Sequence, residues 1–157
     1  MRIKDKGLLV RCIVIPLAVG GVSAWISGGS MEIFEQVNKP PLSPPGWLFP
    51  VVWTVLYVMM GIASYLVAVS EGEQEKVGKA LRLYGLQLGV NFLWPIFFFN
   101  LQWFFLAFLW LVLLWVLIFF TIRAFYEVAP AAARLMLPYL LWVTFAGYLN
   151  LGIWLLN

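Results

Sequence analysis

The chain has 157 residues and a net charge of +3; 64% of its residues are hydrophobic, 18% aromatic and only 11% charged. Soluble domains run at about 45–50% apolar and about 25% charged, so this composition excludes a water-exposed globule and points to an integral membrane protein of one domain, residues 1–157. The absence of histidine and the single cysteine, Cys12, exclude histidine-ligated metal, a Ser–His–Asp triad, an internal disulfide and a thiolate cluster.

Charged residues divide the chain into uncharged pieces: Cys12 to Met31, Pro40 to Ser70, Leu83 to Ile122 and Leu135 to Asn157. A membrane helix needs about 20 residues to cross the hydrocarbon. The third piece is therefore long enough for two crossings, and its polar interruption, Asn100-Leu101-Gln102, suits a tight turn between antiparallel helices. The pattern predicts an all-α membrane protein with five spans, at about 8–27, 47–69, 80–99, 103–125 and 135–156. The basic start, apolar run and Val22-Ser23-Ala24 of the first span also fit a cleaved secretory signal. An uncleaved crossing is the favoured reading, because cleavage would leave the other helices and the first loop unsupported. Pro16 and Pro95 are expected to kink the first and third spans.

Nine of the ten Lys and Arg residues lie at the N-terminus, in the second loop or at the edges of the fourth, and only Lys39 lies on the opposite side. The positive-inside rule then predicts a cytoplasmic N-terminus in the cell membrane, with the first loop and the C-terminus outside. This edge-bound charge has no groove and no interleaved aromatics, so nucleic acid is not an expected partner. No charge lies deep in any span, which argues against ion-coupled or proton-coupled pumping.

The first loop carries four prolines between Pro40 and Pro45. Proline fixes φ, so the segment reads as a stiff lid; a rigid linker or an SH3-type ligand is the alternative. In the second span Phe49, Trp53 and Tyr57 recur at helical spacing, as do Gln87, Asn91 and Trp94 in the third and Tyr139, Trp142, Ala146 and Asn150 in the fifth. Carboxamides are costly against lipid, so Gln87, Asn91 and Asn150 are expected to point inward and to bring the aromatic stripes with them. Such a pocket suits a large, planar, mostly apolar ligand. With nine Trp and thirteen Phe, chance pairing is the competing explanation. Trp47, Trp103 and Trp154 read as interfacial belt residues. Phe97, Phe98, Phe99, Phe104, Phe105, Phe108, Phe119 and Phe120 read as lipid-facing. Gly85 and Gly89 form a G-x-x-x-G pair about 200° around the helix from Gln87, a dimer interface or a site of internal helix packing. No residue cluster has metal-ligand spacing, and no nucleophile–base pair is evident.

Three stretches carry a family resemblance. They are Lys39-Pro-Pro-Leu-Ser-Pro-Pro-Gly-Trp-Leu-Phe-Pro-Val-Val-Trp-Thr-Val-Leu-Tyr57, then Gln87-Leu-Gly-Val-Asn-Phe-Leu-Trp-Pro-Ile-Phe-Phe98 with Phe99, and Pro138-Tyr-Leu-Leu-Trp-Val-Thr-Phe-Ala-Gly-Tyr-Leu-Asn150. In this order they resemble the TspO/MBR family of tryptophan-rich sensory proteins and translocator proteins. The resemblance implies a five-transmembrane-helix bundle, often a homodimer, with a ligand cavity under the extended first loop. It also implies binding of protoporphyrin IX and other tetrapyrroles for sensing, sequestration or transport. The family's ligand contacts fall on Phe49, Trp53, Asn91, Trp142 and Ala146, with Phe34 expected to help close the lid. No cofactor is implied. If the chain is instead an enzyme, the implied activity is light-dependent oxidative degradation of the porphyrin, with Trp53 and Trp142 in the catalytic role. A subunit without a small ligand is the third reading. Departures from the family pattern are Ile33-Phe34 in place of Trp-Tyr and Leu42 in place of a second loop tryptophan. No basic residue follows Tyr148, so specific cholesterol binding is not expected.

Overall fold

A computed structural model describes residues 5–28 and 34–157. Among the described residues it is all-helical. The main helices are α1 (Lys6–Ile26), α2 (Leu48–Ala68), α3 (Gln74–Pro95), α4 (Phe104–Val128) and α5 (Pro130–Leu156), with a π-helical turn, Ile96–Asn100, after α3. Arg2 and Lys4 of the basic start, and Ile33 of the loop, lie outside the described residues.

Local chemistry sets several of the ends. Asp5 caps α1 by accepting the Leu8 N–H at 3.0 Å, satisfying one of the donors that a helix start leaves free. At the other end the Ser27 hydroxyl donates to the Ser23 carbonyl at 2.8 Å. Pro130 opens α5 at a position where its missing N–H costs nothing. The α3–α4 reversal is the tight turn expected, with Gln102 in the left-handed region at φ 55°.

Four helices, α1, α2, α4 and α5, are long and apolar enough to cross a membrane. Helix α3 starts at Gln74 and not near residue 80. Its first turns carry Glu75, Lys76, Lys79 and Arg82; a charged extension is helical without being apolar, which hydropathy alone could not place. Helix α5 likewise starts earlier than expected, at Pro130, because Ala131 to Ala133 are strong helix formers.

The helices close a ring. Helix α1 packs chiefly on α2, α2 on α5, α5 on α4, α4 on α3, and α3 more lightly on α1. The α1–α2 seam is close because of Gly61: a methyl there would lie 2.6 Å from the Cys12 carbonyl oxygen and the Ile13 Cα. Met60, Ala63, Val67, Leu114, Ile118, Phe125 and Met136 fill the inner half of the ring.

The π-helical turn overturns one expectation. Pro95 has no N–H to return to α3, and the ladder widens so that the Leu101 N–H reaches the Ile96 carbonyl at 3.0 Å. This rephases the phenylalanine run. Phe98, expected to face lipid, is buried, and Phe97, Phe99 and Phe104 pack with it in a second core cluster around Phe34, Ala107 and Ile153. Phe105, Phe119 and Phe120 are exposed on α4 as expected.

Candidate ligand cavity

Trp94 packs against both clusters. Between them lies a cavity of about 240 Å³, lined by α1, α2, α3, α4, α5 and the π-helical turn, with no charged residue in its wall. Eight of the residues picked out from sequence line it: Phe34, Phe49, Trp53, Tyr57, Asn91, Trp94, Ala146 and Asn150.

Its floor is a chain of hydrogen bonds. The Tyr57 hydroxyl donates to Asn91 Oδ1 at 2.9 Å. Asn91 Nδ2 donates to the Tyr139 hydroxyl at 2.7 Å, and that hydroxyl donates to Gln87 Oε1 at 2.7 Å. One asparagine thus ties α2, α3 and α5 together where no water competes for its amide. Near the other end Trp94 Nε1 donates to Asn150 Oδ1 at 3.0 Å, and Asn150 Nδ2 donates to the Phe104 carbonyl at 2.8 Å. The carboxamides turn inward as expected and hold helices together; Asn91 and Asn150 also face the cavity, and Gln87 does not.

The walls are aromatic. Trp53 stacks on Tyr57, with centroids 5.5 Å apart and an interplanar angle of 28°, and meets Tyr139 edge-on at 6.1 Å. Phe34 meets Phe49 edge-on at 4.9 Å. Two expected ligand residues sit outside the lining. Trp142 packs behind Phe49 at 5.7 Å, its indole N–H buried without a hydrogen-bond partner. Gln87 is one helical turn beyond Asn91, fully buried, with Nε2 likewise unpartnered.

Helix α1 supplies a wall that was not anticipated: Gly20, Ser23, Ala24 and Ser27. Their i, i+3, i+4, i+7 spacing is a stripe of small residues, and that was the available signal. Gly20 is required, because a methyl there would overlap the Tyr57 ring. The Ser23 hydroxyl donates to the Phe92 carbonyl at 2.8 Å and draws α1 against α3.

The proline-rich loop is fastened to the end of α5. Pro40 sits on Gly152, where a side chain would collide with its ring. The Asn38 N–H donates to Asn157 Oδ1 at 3.1 Å, and Asn157 Nδ2 returns a bond to the Asn38 carbonyl at 2.9 Å. The Tyr148 hydroxyl donates to the Pro41 carbonyl. Leu42, at φ 70°, stands exposed at the loop tip. On the outer face of α3, Gly85 and Gly89 have nothing within 4 Å of where a Cβ would stand, so they do not serve internal helix packing in this structure.

The sequence profile of the TspO/MBR family matches residues 12–155. This chain belongs to the TspO/MBR family. It is 39% identical over 150 residues to the tryptophan-rich protein TspO of Chlorobaculum tepidum, covering 95% of each chain. It is 37% identical over 150 residues to the protein of the same name from Archaeoglobus fulgidus, covering 95% of this chain and 96% of that one. With the human translocator protein it shares 38% identity over 133 residues, 84% of this chain and 79% of the human one. Membership and the apolar helices make this TspO/MBR chain an integral membrane protein and support a receptor- or transporter-like role.

Proposed function

We propose that this protein binds a planar tetrapyrrole such as protoporphyrin IX in the aromatic cavity, in order to sense, sequester or move it. The supporting observation is the cavity itself: an uncharged wall to which Phe49, Trp53, Trp94 and Phe98 contribute aromatic rings and Asn91 an amide. Ligand pockets hold about 300–1,000 Å³, so a cavity of about 240 Å³ must widen to admit a macrocycle. The proline-rich loop is the lid, and Phe34 and Phe49 are the side chains that part to admit a macrocycle. In this reading α3 and the π-helical turn form the fifth crossing, carried by the uncharged stretch from Leu83 to Asn100. The N-terminus is cytoplasmic in the cell membrane, the lid and C-terminus lie outside, and two chains pair across Gly85 and Gly89.

Titration of the purified protein with protoporphyrin IX, followed by tryptophan fluorescence, tests the reading. Saturable quenching is expected, and Trp53→Phe should weaken binding more than Trp142→Phe, because only Trp53 lines the cavity. Absence of saturation refutes it. A second reading, light-driven oxidation of the bound porphyrin by dioxygen, is favoured by the position of Trp53 in the wall and its stacking on Tyr57. Loss of porphyrin absorbance under light, abolished in Trp53→Phe while binding persists, would establish that activity.

A further inference from the structure

The cavity has no place for a negative charge. Its polar groups are already engaged: Tyr57 with Asn91, Trp94 with Asn150, Ser23 with the Phe92 carbonyl and Ser27 with the Ser23 carbonyl. An ionised carboxylate inserted among them would lose its hydration and gain no counter-charge. Nor does the space of about 240 Å³ take a whole drug-sized ligand. Part of any such ligand must extend beyond the present lining, and on the loop side that means past the Phe34–Phe49 pair.

What lies there is Lys39. Its ammonium stands 4.9 Å from the centroid of Phe34, over the ring, and the Phe34 ring lines the cavity. Lys39 Nζ donates to the Phe34 carbonyl at 2.8 Å and, at the limit of hydrogen-bonding reach, to the Glu35 carbonyl at 3.5 Å. Both partners are neutral. An ammonium has three donors, so one remains, and no carboxylate among the described residues forms an ion pair with Lys39. The cation is held by the loop without an ion-pair partner among the described residues, one aromatic ring away from an apolar chamber.

We propose that Lys39 is the anion anchor of this site, selecting amphipathic ligands whose apolar body fills the cavity and whose carboxylate pairs with the ammonium at its mouth. The assignment rests on the cavity being the ligand site. It adds that the ligand's acidic end points toward the loop and that one residue reads it. The Phe34 ring is then both the cavity wall and the face on which the cation is parked.

Protoporphyrin IX and its dimethyl ester differ at the carboxylates and share the macrocycle, so the pair isolates the effect. Tryptophan quenching in the same detergent is measured for both ligands on the unaltered chain, on Lys39→Met and on Lys39→Arg. The diacid should bind the unaltered chain more tightly than the diester by roughly fivefold, the size of an interfacial charge-assisted hydrogen bond. Lys39→Met should erase that difference by weakening the diacid alone, and Lys39→Arg should keep it. Added salt should weaken the diacid and leave the diester unmoved. Equal weakening of both ligands in Lys39→Met would show that Lys39 only braces the loop, and overturns the assignment. A diacid unaffected by Lys39→Met overturns it as well. If the diester binds normally, the cavity reading survives either failure; if neither porphyrin binds the unaltered chain, both readings fall together.

Discussion

Asn91 and Trp142 were picked out from sequence for the same reason, a polar or aromatic residue on an inward stripe, and the structure gives them different energetics. Asn91 accepts from Tyr57 and donates to Tyr139. Replacing it by Leu removes both bonds and leaves the buried Tyr57 hydroxyl without a partner. Hydrogen bonds between membrane helices average below about 1 kcal/mol each, and an orphaned buried hydroxyl adds about 1–3 kcal/mol, so Asn91→Leu should cost about 2–4 kcal/mol. Trp142 offers its buried N–H to nothing. Trp142→Phe removes an unsatisfied donor along with some packing volume, and should stay within about 1 kcal/mol of the unaltered chain. Thermal unfolding in detergent, read by circular dichroism, checks both. An Asn91→Leu variant that melts with the unaltered chain would mean that the asparagine does not tie the helices. The sequence could show that both side chains turn inward, because a carboxamide in lipid is costly. It could not show which of them would find partners, since that depends on Tyr139 arriving from α5.

At the scale of the helix, the legible features were those that follow from counting. The four candidate spans end within a few residues of the bounds expected from sequence, apart from the early start of α5, because burial of backbone in lipid leaves few alternatives to a helix. Two features escaped. The π-helical turn after Pro95 shifts the phase of a phenylalanine run that has no polar residue to mark its faces. The small-residue wall of α1 carries almost no amphipathic signal, since a helix that is apolar all round shows its inner face only through residue size. Size also decides which glycines matter. Gly61 lies against the α1 backbone, so Gly61→Val should push α1 outward and cost about 1–3 kcal/mol, with a matching fall in the detergent melting temperature. Gly89 faces open space. Gly89→Leu should therefore leave both melting and porphyrin quenching unchanged while abolishing any dimer seen by light scattering. If the dimer survives this change, pairing uses another surface.

For the whole molecule, the question is what controls access to a chamber that must widen before it takes a macrocycle. The loop is not packed on the cavity by apolar contact alone. It is pinned at three points on the last three turns of α5 and its C-cap: Pro40 on Gly152, the Tyr148 hydroxyl on the Pro41 carbonyl, and the reciprocal pair of Asn38 and Asn157. A proline-stiffened strap moves as a unit, so loosening one pin shifts the others. Gly152→Val places a branched side chain where the Pro40 ring now rests, and this cannot be relieved by a rotamer change because the ring lies against the helix backbone. The variant should hold the strap away from α5 and leave the core, at the far side of the cavity, intact. Asn157→Ala removes two bonds and should act in the same direction more weakly. Stopped-flow quenching separates this from a loss of the site: both variants should speed porphyrin association and dissociation, Gly152→Val by roughly tenfold, with melting temperature nearly unchanged. Rates equal to those of the unaltered chain would mean that the ligand enters from the bilayer between helices, and that the strap, although latched, is not the gate.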